Sequence, residues 1–319
     1  MAPRVIAGVR WRPEPRTSGR FACTLSLVAL GAAPGAWAQP PQEPAPTVEA
    51  LSPLPTFPTG VEKVNVDVSV TRDGHPVSGL TAADFVVSDN GVVQQVDVVA
   101  GESLPIDVVL ALDASASVRG KRLVELQRAA HAFVDALAPS DTVTLLAFNT
   151  HLALAAPAGA SRAETHAAID RVQGQGATSL VDAAHAALLL TDPRRGRPLA
   201  LLFSDGVDQG SWLKPEAVEA TARASDAVVD YVGIEGGVGF LDGVARATGG
   251  VGWSARQDTE LAGAFATALE EFRSRYHLGY EPRGVRREGW HELKVRLRGR
   301  PGKIRARPGY EVRGAPLAD

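Results

Sequence analysis

Asp113, Ser115 and Ser117 place one carboxylate and two hydroxyls within five residues. All three are hard oxygen donors, a set that suits Mg2+, Mn2+ or Ca2+ and suits zinc poorly. A second aspartate, Asp205, follows the apolar run Leu199–Phe203 in the tripeptide Ser204-Asp205-Gly206. A lone S-D-G means only a turn. Thr178 and Ser179 follow Gly174-Gln175-Gly176-Ala177 and precede an apolar helical stretch, so helix capping alone is one reading of both. Other chemistries find little support. There is no G-x-S-x-G, no G-x-x-x-x-G-K-[ST] and no H-E-x-x-H. The histidines at 75, 131, 151, 166, 185, 277 and 291 form no close pair along the chain, and His131, His166 and His185 read as ordinary surface or boundary residues of helices.

These donors need elements that present them. Val108–Leu112 is an unbroken apolar run ending in Asp113, the pattern of a strand buried on both faces. Thr142–Phe148 reads as a second buried strand and Leu199–Phe203 as another continuous apolar one, with Ala227–Ile234 as a strand, Val251–Ser254 as a last strand and His151–Ala155 as a short edge strand. Helices are expected at Gly120–Ala138, Arg162–Val172, Leu180–Leu190, Pro215–Ala224, Phe240–Ala247 and Thr259–Phe272. Alternating strands and helices imply an α/β fold, a doubly wound, mainly parallel sheet flanked by helices. Ligands bind at the C-terminal edge of such sheets, where Asp113 and Asp205 both fall.

The flanks read as β structure. Val64, Val66, Val68 and Val70 alternate with polar residues, and Asp73-Gly74 and Asp89-Asn90-Gly91 are turn signals. Near the other end, Tyr276, Leu278 and Tyr280 alternate, as do Leu293, Val295 and Leu297 against Lys294, Arg296 and Arg298, whose basic face reads as solvated. The expected organisation is a signal peptide (1–38), a proline-rich spacer (39–60), a β-rich unit in two parts (61–103 and 275–313), an inserted α/β domain (104–274) and a tail (314–319).

The D-x-S-x-S at Asp113–Ser117, the phrase GATSLVDA around Thr178 and the S-D-G at Asp205 together resemble the metal-ion-dependent adhesion site of von Willebrand factor A-type domains. The stretch VNVDVSVTRDGHPVSGLTAADFVVSDNGVVQQV, with SRYHLGYEP and IRARPGYE, resembles the flanks of bacterial exported proteins related to that family. The resemblance implies a cation held by Asp113, Ser115, Ser117, Thr178 and Asp205, with Mg2+ first and Mn2+ or Ca2+ as alternatives. In the family the two serines bind the ion directly. The partner it implies is a protein ligand whose acidic residue completes the coordination. Ala116 stands where the family often has glycine.

Composition narrows the setting. The chain has 319 residues, 45% hydrophobic and 22% charged. Five arginines and one glutamate precede the apolar stretch Phe21–Ala33, and Ala36-Trp37-Ala38 is a small-x-small cleavage pattern. Export to the periplasm or medium is expected, with no membrane span once the signal is removed. Cys23, the one cysteine, lies in that signal, so the mature chain would have neither disulfides nor thiolate chemistry. Loss of residues 1–38 moves the formal charge from −3 to −7. An acidic body does not favour nucleic acid. The sequence therefore reads as a binding module and not an enzyme. The rivals are an assembly component of the cell envelope and a metal-assisted hydrolase, which would need a general base that no His or Glu beside the motif supplies.

Overall fold

A computed structural model describes residues 63–234 and 239–312, all within one compact unit, Pro58–Asp319. The expected signal peptide with Cys23, the proline-rich spacer and the C-terminal tail lie outside the described residues.

The first strands are β1 (Val64–Arg72), β2 (His75–Pro76), β3 (Phe85–Asp89), β4 (Val92–Gln94) and β5 (Val96–Ala100). The middle of the chain alternates: β6 (Ile106–Asp113), α1 (Lys121–Ala136), β7 (Thr142–Phe148), β8 (Leu152–Ala156), α2 (Arg162–Asp170), α3 (Leu180–Leu190), β9 (Arg197–Ser204), α4 (Pro215–Arg223), β10 (Val228–Ile234), α5 (Gly239–Thr248), β11 (Gly252–Ala255) and α6 (Leu261–Ser274). The chain then returns to strands: β12 (Tyr276–Tyr280), β13 (Gly289–Leu297), β14 (Lys303–Arg305) and β15 (Gly309–Val312).

The central sheet has the order β11-β10-β9-β6-β7-β8. It is mixed, not wholly parallel. Five strands run parallel, and β8 closes one edge antiparallel to β7. All eight residues of β6 and of β9 are buried, which explains the apolar runs Val108–Leu112 and Leu199–Phe203 within them. Successive side chains of β6 point to opposite faces. Val108, Leu110 and Leu112 pack with Phe133 of α1, Ile169 of α2 and Phe265 of α6. Val109 and Ala111 pack with Leu180 and Ala184 of α3, Val218 of α4 and Leu241 of α5. Six helices thus cover both faces, and the C-terminal strand ends form a rim between them.

The remaining strands form two antiparallel sheets, ordered β14-β1-β12-β5, with β2 beside β1, and β15-β13-β3-β4. Strands from before the central sheet therefore pair with strands from after it: β1 with β12 and β14, β5 with β12, and β3 with β13. Val66, Val68, Phe85, Val87, Leu278 and Tyr280 form their core. Within it the buried Asp89 carboxylate accepts hydrogen bonds from the hydroxyls of Tyr280 (2.9 Å) and Tyr310 (2.7 Å) and lies 2.8 Å from Nδ1 of His291. Burial, with these bonds, pushes both tyrosine hydroxyls above their ordinary range.

Buried arginines stitch the flanking strands to the central sheet. Arg197 of β9 pairs with Asp67 of β1 at 2.6 Å and lies over the Phe272 ring, 4.3 Å from its centroid. Arg275, wholly buried, reaches Glu271 (2.7 Å) and the Gly249 carbonyl (3.1 Å). Its neighbour Asp230 is pushed up to about 6 by burial, against the opposing pull of the Arg275 charge.

Candidate metal centre

The rim is built from neighbouring strand ends. Leu112 of β6 pairs with Phe203 of β9, so Asp113 and Ser204 emerge side by side. Ser204 Oγ donates to Asp113 Oδ2 (2.8 Å), and the Ser115 amide donates to Asp113 Oδ1 (2.9 Å). The hydroxyls of Ser115 and Ser117 lie 2.9 Å apart, and Ser117 Oγ donates to Asp205 Oδ1 (2.8 Å). Asp113, Ser115, Ser117 and Asp205 are therefore joined by one continuous run of hydrogen bonds, although 88 positions separate Ser117 from Asp205.

Backbone bonds bring the Thr178 loop to the same rim. Gln175 N–H donates to the Ala114 carbonyl (2.8 Å), and Ala116 N–H donates to that of Gly176 (3.0 Å). Gly174 makes the approach possible, because a Cβ there would stand 1.7 Å from the Val118 carbonyl oxygen. Further along, the amides of Gln209 and Gly210 both donate to the Thr178 carbonyl (2.8 and 3.1 Å). Thr178 is thus held between the serine loop and the loop that follows Asp205. Its side chain is buried, and among the described residues no hydrogen bond joins its hydroxyl to the other four donors.

Capping does not account for the hydroxyl beside it. Ser179 is the N-cap of α3, yet its side chain makes no capping bond, and its Oγ is buried with no hydrogen-bond partner among the described residues. Instead the first amides of α3 are satisfied from the Asp205 side. Val181 N–H donates to Asp208 (3.1 Å), and Asp182 N–H donates to the Ser211 hydroxyl (3.0 Å). Asp208 is thus a loop-to-helix cap.

Over residues 108–207 the chain matches the family model described as the von Willebrand factor type A domain. The chain carries a VWA domain. Among solved structures it is similar to a von Willebrand factor type A protein from Catenulispora acidiphila, at 15% identity and a TM-score of 0.50, over 76% of this chain and 74% of that one. It is also similar to proximal thread matrix protein 1 from the mussel byssus, solved with its MIDAS motif occupied by zinc, at 18% identity and a TM-score of 0.49 over 58% of this chain. The chain spans half the length of that protein. A third likeness is an aerotolerance-related membrane protein from Bacteroides fragilis, at 16% identity and a TM-score of 0.43, over 52% of this chain and 98% of that one. No curated protein matches the chain. Among the described residues, no helix is long and apolar enough to cross a membrane.

Four charged groups set the electrostatics at the VWA rim. Burial pushes the Asp113 carboxyl above its ordinary value, and the Asp205 charge adds to this, while hydrogen bonds from Ser115 and Ser204 oppose it. Arg122 of α1 pairs with Asp205 Oδ2 and, through Nε, with Asp258 (2.8 Å) in the short turn before α6. Asp205 therefore shares one carboxylate between a serine and a guanidinium.

Three further residues are not among the five motif donors. Arg122 lies in the first turn of an amphipathic helix, where a charged residue signals only a solvated face. Ser204 stands in the S-D-G but is not one of the motif's donors. Trp212 is 94% exposed on the loop after Asp205, and Val207 of the same loop is 76% exposed. The Asp182 carboxylate fixes that loop by accepting from the amides of Trp212 (3.0 Å) and Leu213 (2.9 Å). Among the described residues no group of three or more His, Cys, Asp or Glu side chains is arranged to hold a metal. The rim offers a different set, two carboxylates among hydroxyls, which fits a hard dication.

Proposed function

We propose that the VWA domain captures a protein ligand through a divalent cation seated on this rim. The run of hydrogen bonds from Ser204 through Asp113, Ser115 and Ser117 to Asp205 carries the reading, because it gathers hard oxygen donors from two strand ends into one place. Ser115 and Ser117 would hold the ion directly. Asp113, Thr178 and Asp205 would act directly or through water. With neutral hydroxyls and only two carboxylates around it, the cation keeps positive charge to offer a carboxylate of the partner. Mg2+ fits this set best, with Mn2+ and Ca2+ next. Trp212 and Val207 supply apolar contact beside the charged centre, as an interface core requires. We place the protein outside the cytoplasm, on the strength of its N-terminal sequence. The role is binding and not turnover, since serines and an arginine surround the two aspartates where a hydrolase would need a base.

Ligand linkage tests this directly. A bound ion stabilises the folded state by about 2.7 kcal/mol at a hundredfold excess over its Kd. Mg2+ should therefore raise the melting temperature of the wild-type chain and leave Asp113→Ala and Ser115→Ala unmoved. Equal shifts in all three proteins would remove the cation from this rim. Capture of a partner that persists in EDTA would remove it from the interaction.

A further inference from the structure

A second constellation lies between α1 and α2. The stretches His131-Ala132-Phe133-Val134-Asp135 and His166-Ala167-Ala168-Ile169-Asp170 share the pattern H-A-x-x-D, one on each helix. The chain brings them together with crossed pairing. His131 Nε2 lies 2.9 Å from Asp170 Oδ1, His166 Nε2 lies 3.0 Å from Asp135 Oδ1, and the two Nδ1 atoms lie 2.7 Å from each other. The ring planes are inclined by 26° with centroids 4.9 Å apart, so the nitrogens meet edge to edge. Both histidines are boundary residues of their helices, as the sequence suggests, but their contact with each other is not visible there. No local pattern could reveal it, because 35 positions separate them.

Proton bookkeeping makes the contact unusual. An ionised carboxylate only accepts hydrogen bonds, so each Nε2 facing one carries the proton. Each neutral ring then has a bare lone pair on Nδ1, and the two lone pairs point at one another. Such an approach needs a positive charge between the nitrogens, either a shared proton or a metal ion. A ring whose far nitrogen donates to a carboxylate is also the usual arrangement of a metal-binding histidine. The frame is fixed in advance. Gln127 of α1 donates to the carbonyls of Ile169, Asp170 and Val172 at one end of the antiparallel pair, and Arg162 of α2 donates to Val134, Leu137 and Ala138 at the other. Both rings remain partly open to solvent.

We propose that His131 and His166 form a transition-metal site, distinct from the VWA rim, that takes Zn2+, Cu2+ or Ni2+ through their two Nδ1 atoms. Imidazole nitrogens suit these ions, whereas Mg2+ and Ca2+ prefer oxygen. Two nitrogens about 2.1 Å from a tetrahedral ion stand about 3.4 Å apart, so the rings need to separate by about 0.7 Å and tilt until both lone pairs meet the ion. Water or a donor from another molecule fills the remaining positions. Asp135 and Asp170 orient the rings.

The test uses the untagged full chain with excess Mg2+. Calorimetric titration with Zn2+ should give one site that persists in Asp113→Ala and weakens at least about tenfold in His131→Gln and in His166→Gln. Asp135→Asn and Asp170→Asn should each weaken it by about tenfold. Cu2+ bound at this site should show nitrogen hyperfine structure by electron paramagnetic resonance, which the all-oxygen rim cannot produce. Zn2+ binding that survives both histidine variants, an oxygen-only Cu2+ spectrum, or no binding at all would overturn the proposal and leave a shared proton between the rings. Each of these results is independent of whether Mg2+ binds at Asp113.

Discussion

Arg122 holds the Asp205 carboxylate from the side opposite Ser117, and its Nε reaches on to Asp258. A fixed cation thus stands where a dication is proposed to bind, and it ties that carboxylate to the turn that begins the last helix of the central segment. Removing Arg122 takes away a like charge and frees one oxygen of Asp205. Arg122→Leu is expected to tighten Mg2+ binding by about tenfold, roughly 1.4 kcal/mol. Titration calorimetry of the two proteins checks it, and unchanged or weaker binding would mean that Arg122 organises the rim and does not compete there.

Gly174 is the point where the Thr178 loop touches the serine loop. Gly174→Ala would drive a methyl into the Val118 carbonyl, 1.7 Å away. The loops must then part, at a cost of about 2 kcal/mol or more. The expected result is a lower denaturation midpoint together with a reduced Mg2+ shift. Gly206→Ala, which meets nothing within 4 Å, serves as the control.

Trp212 tests the contact surface apart from the ion. Its side chain supports no core and is almost fully exposed. Trp212→Ala should leave both the melting temperature and its response to Mg2+ unchanged. Once a partner is identified, the same variant should bind it about tenfold more weakly, in line with an aromatic anchor at an interface. Surface plasmon resonance would read this, and undiminished binding would place the partner elsewhere.

The Asp67–Arg197 pair predicts an acid response. Burial alone would raise the Asp67 carboxyl, but the Arg197 charge and the His277 contact win and hold it far below the ordinary range. The folded state therefore binds this proton less readily than the unfolded state. The stability it contributes is complete above the unfolded carboxylate range near pH 4 and declines as the pH falls below it. Asp67→Asn leaves Arg197 buried without its counter-charge and should cost about 3 kcal/mol at pH 7. The gap between variant and wild type should narrow below about pH 4, as followed by urea unfolding across a pH series. A constant gap would assign the loss to packing alone.

Much of the scaffold was legible because it is written locally. Leu180–Leu190 was read as a helix and is one, and the apolar runs around Leu110 and Leu201 are the central strands. The edge strand anticipated at His151–Ala155 is found at Leu152–Ala156, antiparallel. Continuous apolar sequence records burial on two faces, and it needs no knowledge of partners. What could not be read depends on residues far apart in the chain. Ser204 bonded to Asp113, Arg122 bonded to Asp205 and His131 facing His166 are contacts across 35 to 91 positions. Each partner satisfies its own local pattern equally well without the other. Ser179 shows the opposite failure, since its position suggests a cap and its hydroxyl makes none, because Asp208 and Ser211 reach the helix first.

Ala100 and Tyr276 are paired neighbours in adjacent antiparallel strands, although the whole central sheet and its six helices lie between them in the chain. Departure and return of the polypeptide are thus side by side, as at the two feet of an arch. A short turn could bridge them and leave a plain hairpin, so the same base could accept a different module without redrawing its own strands. The buried Asp67 would then need a substitute for Arg197, which marks that pair as the seam any such transplant must re-seal.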